Sequence, residues 1–282
     1  MSDTAVPRRS RPETPDVVEL RALKARQPEL ADAVDLQLAL MEIQRRVQSR
    51  VPLPSLDLSA ARVARHSAER RPLVAFSQIP LEASDLRLVL RQTADVLLRF
   101  GLIEDDDHRR LQALSHDGDA CGVAEAWFDR SHQGTGAGSD LSTGMDQAIA
   151  LALRPFLARC ADAAQPAAAL AVWMVGRCPV CGGEPELGVI ESPELRRLIC
   201  GQCGLRWVFD AGSCPHCPNT DRRQLTSFAT ADRRYHVTAC EVCRRYLKSY
   251  NGQRAARPVM PAVDTLATLP LDAAAIQRGY SG

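Results

Sequence analysis

Residues 178–243 read CPVCGGEPELGVIESPELRRLICGQCGLRWVFDAGSCPHCPNTDRRQLTSFATADRRYHVTACEVC. The stretch contains four C-x-x-C pairs, at Cys178 and Cys181, Cys200 and Cys203, Cys214 and Cys217, and Cys240 and Cys243. Two cysteines separated by two residues can turn both sulfurs toward one point, and two such pairs complete a tetrahedron. The pairs are 18 residues apart in the first half and 22 in the second, close to the spacing of four-thiolate sites. The sequence therefore predicts two metal ions per chain, each bound by four cysteines.

The same stretch is an internal repeat. Cys214 follows Cys178 after 36 residues, and each copy has a C-x-x-C pair, a hairpin pattern with two arginines, a second pair and an aromatic residue. Short β-prone segments predict strands at 187–190, 195–199, 205–209, 225–229 and 235–239. We expect two tandem β modules, each too small to be stable alone and held together by its metal.

The expected metal sites are structural rather than catalytic, because four thiolates leave no open coordination position for a substrate. Sulfur ligands suit both zinc and iron, and softness alone does not separate the two metals. Four arginine pairs in the repeat favour solvated strand faces that balance the negative clusters over a binding patch. These pairs are Arg196-Arg197, Arg222-Arg223, Arg233-Arg234 and Arg244-Arg245.

Other reactive residue types predict no active site. Cys121 and Cys160 stand alone in helical segments, where a cysteine is usually a small buried hydrophobe. His216 and His236 lie in the repeat, but the sulfur count is already complete. The remaining histidines lack the H-E-x-x-H spacing and an adjacent nucleophile. The chain is therefore not expected to be an enzyme.

The N-terminal half predicts an all-helical domain. One helix is expected at Glu29–Val47, and another begins with Ser84 as its cap and ends at Gly101. Shorter helical patterns cover 59–70, 106–115, 119–131 and 141–160. The glycine-rich residues 132–144 lack a phosphate-loop pattern and predict a flexible connector.

Composition excludes some classes of function. The 282 residues carry a formal net charge of +1, so no global field attracts nucleic acid or an acidic membrane. The longest uncharged apolar run, 167–176, is about half of the ~20 residues that span a bilayer, so no membrane insertion is expected. Arg8-Arg9 precedes polar residues rather than the apolar stretch of an export signal. We expect a cytoplasmic protein, in which reduced cysteines bind metal.

Four motifs carry a family resemblance: Gly176-Arg177-Cys178-Pro179-Val180-Cys181-Gly182, Leu198-Ile199-Cys200-Gly201-Gln202-Cys203 with Trp207, Cys214-Pro215-His216-Cys217, and Ala239-Cys240-Glu241-Val242-Cys243-Arg244-Arg245-Tyr246-Leu247-Lys248. In their order and in the closing Tyr-Leu-Lys, they resemble the FdhE-type formate dehydrogenase accessory proteins. The likeness extends to a helical N-terminal half and a short C-terminal tail. One departure is Pro218, which follows Cys217 where glycine is more usual.

The resemblance implies a non-catalytic cytoplasmic factor that respiratory formate dehydrogenase needs for its maturation. Such a factor contacts the catalytic subunit before export and binds iron, here through the eight paired cysteines, with zinc as the alternative. The implied fold is a multidomain α+β protein, with an all-α N-terminal domain followed by two tandem rubredoxin-like or zinc-ribbon-like β modules. The expected segments are a disordered tail (1–16), a helical domain (17–165), the two modules (166–212 and 213–254), and a C-terminal tail that packs back on the body (255–282).

Two other functions remain open. The arginine pairs, with Trp207, Tyr235 and Tyr246 near them, suggest a nucleic-acid-binding zinc ribbon protein, although the near-neutral charge argues against it. A rubredoxin-like electron carrier is the third hypothesis, but it would not need so large a helical domain.

Overall fold

The computed structural model describes residues 13–116, 118–133, 141–254 and 256–282. Within these ranges, seven α-helices come first: α1 (Pro15–Arg26), α2 (Ala31–Gln48), α3 (Ala60–Ala68), α4 (Ala83–Arg99), α5 (Asp105–His116), α6 (Ala120–Gln133) and α7 (Thr143–Ala164). Six strands follow: β1 (Pro185–Ile190), β2 (Leu195–Cys200), β3 (Arg206–Asp210), β4 (Leu225–Ala229), β5 (Tyr235–Cys240) and β6 (Tyr246–Asn251). Helices α8 (Pro261–Ala267) and α9 (Leu269–Gln277) end the chain. The predicted order of a helical region and then a sheet region, in the α+β class, is confirmed.

Local signals explain several helix ends. Ser142 precedes α7, and its hydroxyl accepts a hydrogen bond from the Met145 amide at 3.2 Å, as an N-cap does. Gly101 ends α4 in the left-handed conformation, with φ of 68°. The prediction that Ser84 caps α4 is wrong. The helix begins earlier because Glu82 is extended and its carbonyl oxygen accepts the Leu86 amide at 3.0 Å, which closes the first turn.

Helix α1 was not predicted as a helix, and it begins at Pro15, slightly before the expected start of order at Val17. Its buried Leu20 and Leu23 pack with Val263 of α8, from the other end of the chain. The predicted tail lies mostly outside the described residues, since these begin at residue 13. Residues 134–140 of the predicted connector also lie outside them.

The two repeat copies do not form separate sheets. Each contributes three antiparallel strands, and the strand order is β3-β2-β1-β6-β5-β4 in one six-stranded sheet. The copies join where β1 runs parallel to β6, with Gly188 opposite Ser249. Strand β6 is buried along its whole length and was not predicted, because its sequence YLKSYN is too polar to resemble a central strand.

The first copy also shares its hydrophobic core with the helices. Trp207 of β3 belongs to the same buried cluster as Phe156 of α7 and Leu90 of α4. The backbone amides of Leu73 and Val74 donate to the carbonyl oxygens of Pro179 and Val180, at 2.8 and 3.2 Å. The helical region and the first copy are therefore continuous in space.

Among the helices of the described ranges, none combines the length and the apolarity that a crossing of the bilayer requires.

Candidate metal centres

The eight paired cysteines come together in two groups of four, as the spacing predicted. Within each group, the sulfur atoms all lie within 4.8 Å of one another. The Sγ–Sγ distances are 3.5 Å for Cys178–Cys203 and Cys181–Cys200, and 3.7 Å for Cys214–Cys243 and Cys217–Cys240. All ten cysteines are free thiols. We call the group at 178, 181, 200 and 203 the first cluster, and the group at 214, 217, 240 and 243 the second cluster.

The sulfur geometry fits a tetrahedral metal ion. Four thiolates at a Zn–S bond length of ~2.3 Å have sulfur atoms about 3.8 Å apart, close to the observed separations. A disulfide would bring two sulfurs to ~2.05 Å. Each cluster could therefore hold one metal ion in a complete four-sulfur shell, and this donor set suits zinc and iron alike.

One backbone arrangement recurs at all four C-x-x-C pairs. The amide of the first cysteine donates to the carbonyl oxygen five residues later, and the four N–O distances are 2.8–2.9 Å. These bonds run from Cys178 to Gly183, Cys200 to Leu205, Cys214 to Asn219 and Cys240 to Arg245. The bond folds the chain into a tight loop that turns both sulfurs inward. We call each loop a knuckle.

A second bond closes three of the four knuckles. The amides of Gly182, Gly204 and Arg244 donate to the carbonyl oxygens of Cys178, Cys200 and Cys240, at 2.9–3.1 Å, and all three donors have positive φ of 59–78°. Pro218 occupies the corresponding position in the third knuckle. It has no N–H, and its ring excludes positive φ, so this bond is missing there. The departure noted in the sequence therefore removes one hydrogen bond from the second cluster.

Backbone amides point at cysteine sulfurs in both clusters, and in the second cluster the His216 amide lies 3.4 Å from Cys214 Sγ. The amides of Gln202 and Cys203 lie 3.3 and 3.5 Å from Cys200 Sγ. Burial opposes ionisation of Cys200, but hydrogen bonds from the other three cysteines hold its pKa well below the ordinary value. Cys240 has the same place in the second repeat. There burial also opposes ionisation, but hydrogen bonds from the amides of Cys243 and Val242 and from the Cys217 and Cys214 thiols together lower the pKa of Cys240 to about 7.

The two clusters differ in exposure. All four cysteines of the first cluster are buried, and its knuckles dock on the helical region. Arg154 of α7 donates to the Gly201 carbonyl oxygen at 2.5 Å, and the Gln202 side chain donates to the Ala150 carbonyl oxygen at 2.7 Å. In the second cluster, Cys217 and Cys243 are partly exposed. A metal in the second cluster would therefore be the more accessible to solvent.

The expectation that the arginine pairs lie on solvated strand faces is only partly right. Six of the eight arginines are ion-paired to carboxylates. The other two are Arg233, which is exposed, and Arg196, which is only 3% exposed. Arg245 reaches across to the first copy and binds both carboxylate oxygens of Glu184, at 2.8 and 2.5 Å. This arrangement does not provide a free cationic face built from the arginine pairs.

The other candidate residues lie apart from the ligand sets. Cys160 is fully buried, as predicted, and burial raises its pKa to about 12. Cys121 is only partly buried. His236 Nε2 lies 3.1 Å from the Arg233 carbonyl oxygen, away from the sulfurs. His216 sits in the third knuckle, where burial lowers its pKa to about 4 and keeps its ring neutral.

Sequence reasoning missed Asn219, whose side-chain amide lies 3.5 Å from Cys240 Sγ. It stands directly after Pro218, and its carbonyl oxygen also closes the third knuckle. A polar residue just after the proline, at the position of Gly183 in the first copy, was the signal that could have pointed to it.

Comparisons with known proteins bear on the fold. No family model and no curated protein matches the chain. Among solved structures, the crystal structure of the FdhE protein from Pseudomonas aeruginosa is similar, with a TM-score of 0.62 and 20% sequence identity. The match covers 94% of this chain and 91% of that chain. The resemblance drawn from the cysteine motifs is thus confirmed in the fold, and this chain has the fold of an FdhE protein.

Proposed function

We propose that this chain is a non-catalytic accessory factor for the maturation of respiratory formate dehydrogenase. The observation that carries the proposal is the shared fold with the Pseudomonas aeruginosa FdhE protein over nearly the whole of both chains. The four cysteine motifs add support that is independent of the fold comparison. The complete four-sulfur shells are consistent with a non-catalytic role, because they leave no coordination position for a substrate.

We further propose that each cluster binds one metal ion, in the cell iron by family resemblance, with zinc as the alternative. The ligands are Cys178, Cys181, Cys200 and Cys203 in the first cluster, and Cys214, Cys217, Cys240 and Cys243 in the second. The metal contributes folding free energy, because it ties together loops that have little core of their own. The protein acts in the cytoplasm on the catalytic subunit of the dehydrogenase.

Deletion of the gene in its own host tests the role. Dye-linked formate dehydrogenase activity should be lost in the deletion strain and restored by the wild-type chain. The double variant Cys178→Ser/Cys181→Ser should fail to restore it, whereas Cys121→Ser, a lone cysteine outside both clusters, should succeed. Full activity in the deletion strain would refute the proposed role.

Partner binding needs a separate measurement. The affinity-tagged chain should co-purify with the catalytic subunit from cells that make the dehydrogenase. A deletion phenotype without any such complex would retain the maturation role and remove direct contact from the proposal.

A rubredoxin-like electron carrier is the second candidate, and the exposure of Cys217 and Cys243 favours it, because electron exchange needs an accessible centre. It requires that the native protein contain iron with a reversible couple and a visible absorption band. A colourless zinc protein would exclude it.

A further inference from the structure

Arg196 is a charged side chain inside the protein. It lies on β2, and only 3% of the residue is exposed. Its Nη2 atom donates to the Ser213 carbonyl oxygen, and its guanidinium lies 5.4 Å from the centre of the Phe209 ring. Its Nε atom is buried and has no hydrogen-bond partner among the described residues. Burial lowers the pKa of Arg196 only to about 10, so the guanidinium keeps its charge at neutral pH.

A buried cation without an anion is unfavourable, since desolvation of one ion costs several kcal/mol. Within the described residues, Arg196 forms no ion pair with a carboxylate. Asp210 is the carboxylate whose charge acts on Arg196, but it accepts from the Ser213 hydroxyl and pairs with Arg222 at 3.8 Å. A different negative charge is needed to compensate for the burial of Arg196.

The second cluster is the adjacent source of such a charge. Ser213, which accepts the Arg196 hydrogen bond, immediately precedes Cys214. A divalent ion with four thiolates carries a net charge of about −2, and a nearby cation offsets it. The charges of Cys243 and Cys214 also act on Arg245, but both carboxylate oxygens of Glu184 already bind its guanidinium.

Arg196 belongs to the first repeat copy, whereas Cys214 belongs to the second. The corresponding pair of the second copy, Arg233 and Arg234, makes no equivalent contact with the first cluster, because it lies exposed at the β4–β5 turn. The charge arrangement is therefore asymmetric between the two centres.

We propose that Arg196 is the buried counter-ion of the second metal centre, so that a residue of the first copy completes a site whose ligands all come from the second. The inference rests on metal binding at the second cluster, which is part of the proposed function, and does not depend on the partner. It links metal retention at the second cluster to correct packing of the two copies.

Zinc release from the full chain into a chromogenic chelator tests the charge role. Wild-type protein should bind two zinc ions and release them in two kinetic phases. The phase that is absent from the Cys214→Ser/Cys217→Ser variant is release from the second cluster. Loss of groups that support metal ligands typically lowers metal affinity by about 10–100-fold. Arg196→Met should therefore speed that phase at least about tenfold and leave the other unchanged. Arg196→Lys, which keeps the charge, should recover most of the effect. Arg197→Met is the matched control on the partly exposed neighbour, whose ion pair is with Glu191.

Unfolding measurements separate charge from packing. In the zinc-loaded wild-type background, Arg196→Met should lower the free energy of unfolding. In the Cys214→Ser/Cys217→Ser background, the anionic centre is absent and Arg196 is an uncompensated charge, so the same substitution should be neutral or stabilising. Equal destabilisation in both backgrounds would overturn the proposal, and so would a Lys variant as impaired as Met.

Stoichiometry keeps this inference distinct from the proposed function. Two zinc ions in wild type, with release from the second cluster unaffected by Arg196→Met, would overturn the role of Arg196 alone. One zinc ion in both wild type and Cys214→Ser/Cys217→Ser would refute metal binding at the second cluster, and the counter-ion with it.

Discussion

Pro218 makes the second half of the repeat chemically different from the first. Glycine at 182 and 204 gives the first cluster two knuckles closed by the second amide bond. In the second cluster only Arg244 supplies that bond, with a positive φ that disfavours a side chain. Contacts to the C-terminal tail hold Arg244 in place, since its guanidinium lies 4.1 Å from the Tyr280 ring and donates to the Arg278 carbonyl oxygen at 2.9 Å.

Pro218→Gly should slow zinc loss from the second cluster. The substitution supplies the missing N–H for the Cys214 carbonyl oxygen and permits positive φ, and one hydrogen bond contributes about 1 kcal/mol, roughly a fivefold change in rate. Pro218→Ala is the matched control, because it restores the N–H but resists positive φ, and it should have a smaller effect. Zinc release that is equal or faster in Pro218→Gly than in wild type would contradict this interpretation.

Each knuckle precedes a strand or a loop. The two clusters differ in the part of the protein that their knuckles contact. The first cluster contacts α7 through the Gly201 carbonyl oxygen and the Gln202 side chain, and its cysteines are all buried, whereas the second cluster has two partly exposed cysteines. Solvent access therefore predicts an order of metal loss.

A chelator challenge of the fully loaded protein should remove one of the two metal ions in a faster phase. That ion should come from the second cluster, because Cys217 and Cys243 are accessible whereas the first cluster is enclosed. Cys214→Ser/Cys217→Ser should show only the slow phase. A single phase in wild type, or loss from the first cluster first, would contradict the prediction.

The junction between the repeat copies depends on a specific ion pair. Glu184→Gln breaks the two-oxygen contact with Arg245, and the side chains of these residues are 40% and 26% exposed. We expect the free energy of unfolding to fall by about 1 kcal/mol in chemical denaturation, the upper end for exposed pairs. Glu191→Gln breaks a similar pair with Arg197 inside one hairpin and should cost less, because the junction stays intact. Equal losses would show that the junction gains nothing from the pair.

The C-terminal helix α9 is linked to the middle of the sheet by polar contacts. Lys248 lies in the middle of β6, its side chain is 9% exposed, and its Nζ atom lies 2.6 Å from the Asp272 carboxylate of α9. Tyr246 also donates to Asp272, at 2.7 Å. The central strand of the sheet therefore needs an acidic residue from the end of the chain.

Asp272→Ala should destabilise the protein by about 3 kcal/mol or more, because it leaves Lys248 buried without its anion. The double variant Lys248→Met/Asp272→Ala should recover much of the loss, since an apolar side chain suits the buried strand. Thermal and chemical unfolding would measure both. A double variant no more stable than the single one would show that packing of α9, rather than charge, is the dominant effect.

The cysteine clusters, five of the six strands and most of the helices could be predicted from the sequence. Ligand spacing, apolar periodicity and caps such as Ser142 act over a few residues, so they are visible along the chain. The remaining features depend on tertiary contacts. Strand β6 is buried, although polar, because Asp272 and β1 lie against it, and α1 is ordered because Val263 packs on it. The burial of Arg196 beside Ser213 likewise depends on the close approach of two repeat copies. Such contacts join residues far apart in sequence, and no local pattern records which distant group will satisfy a charge or cover an apolar face.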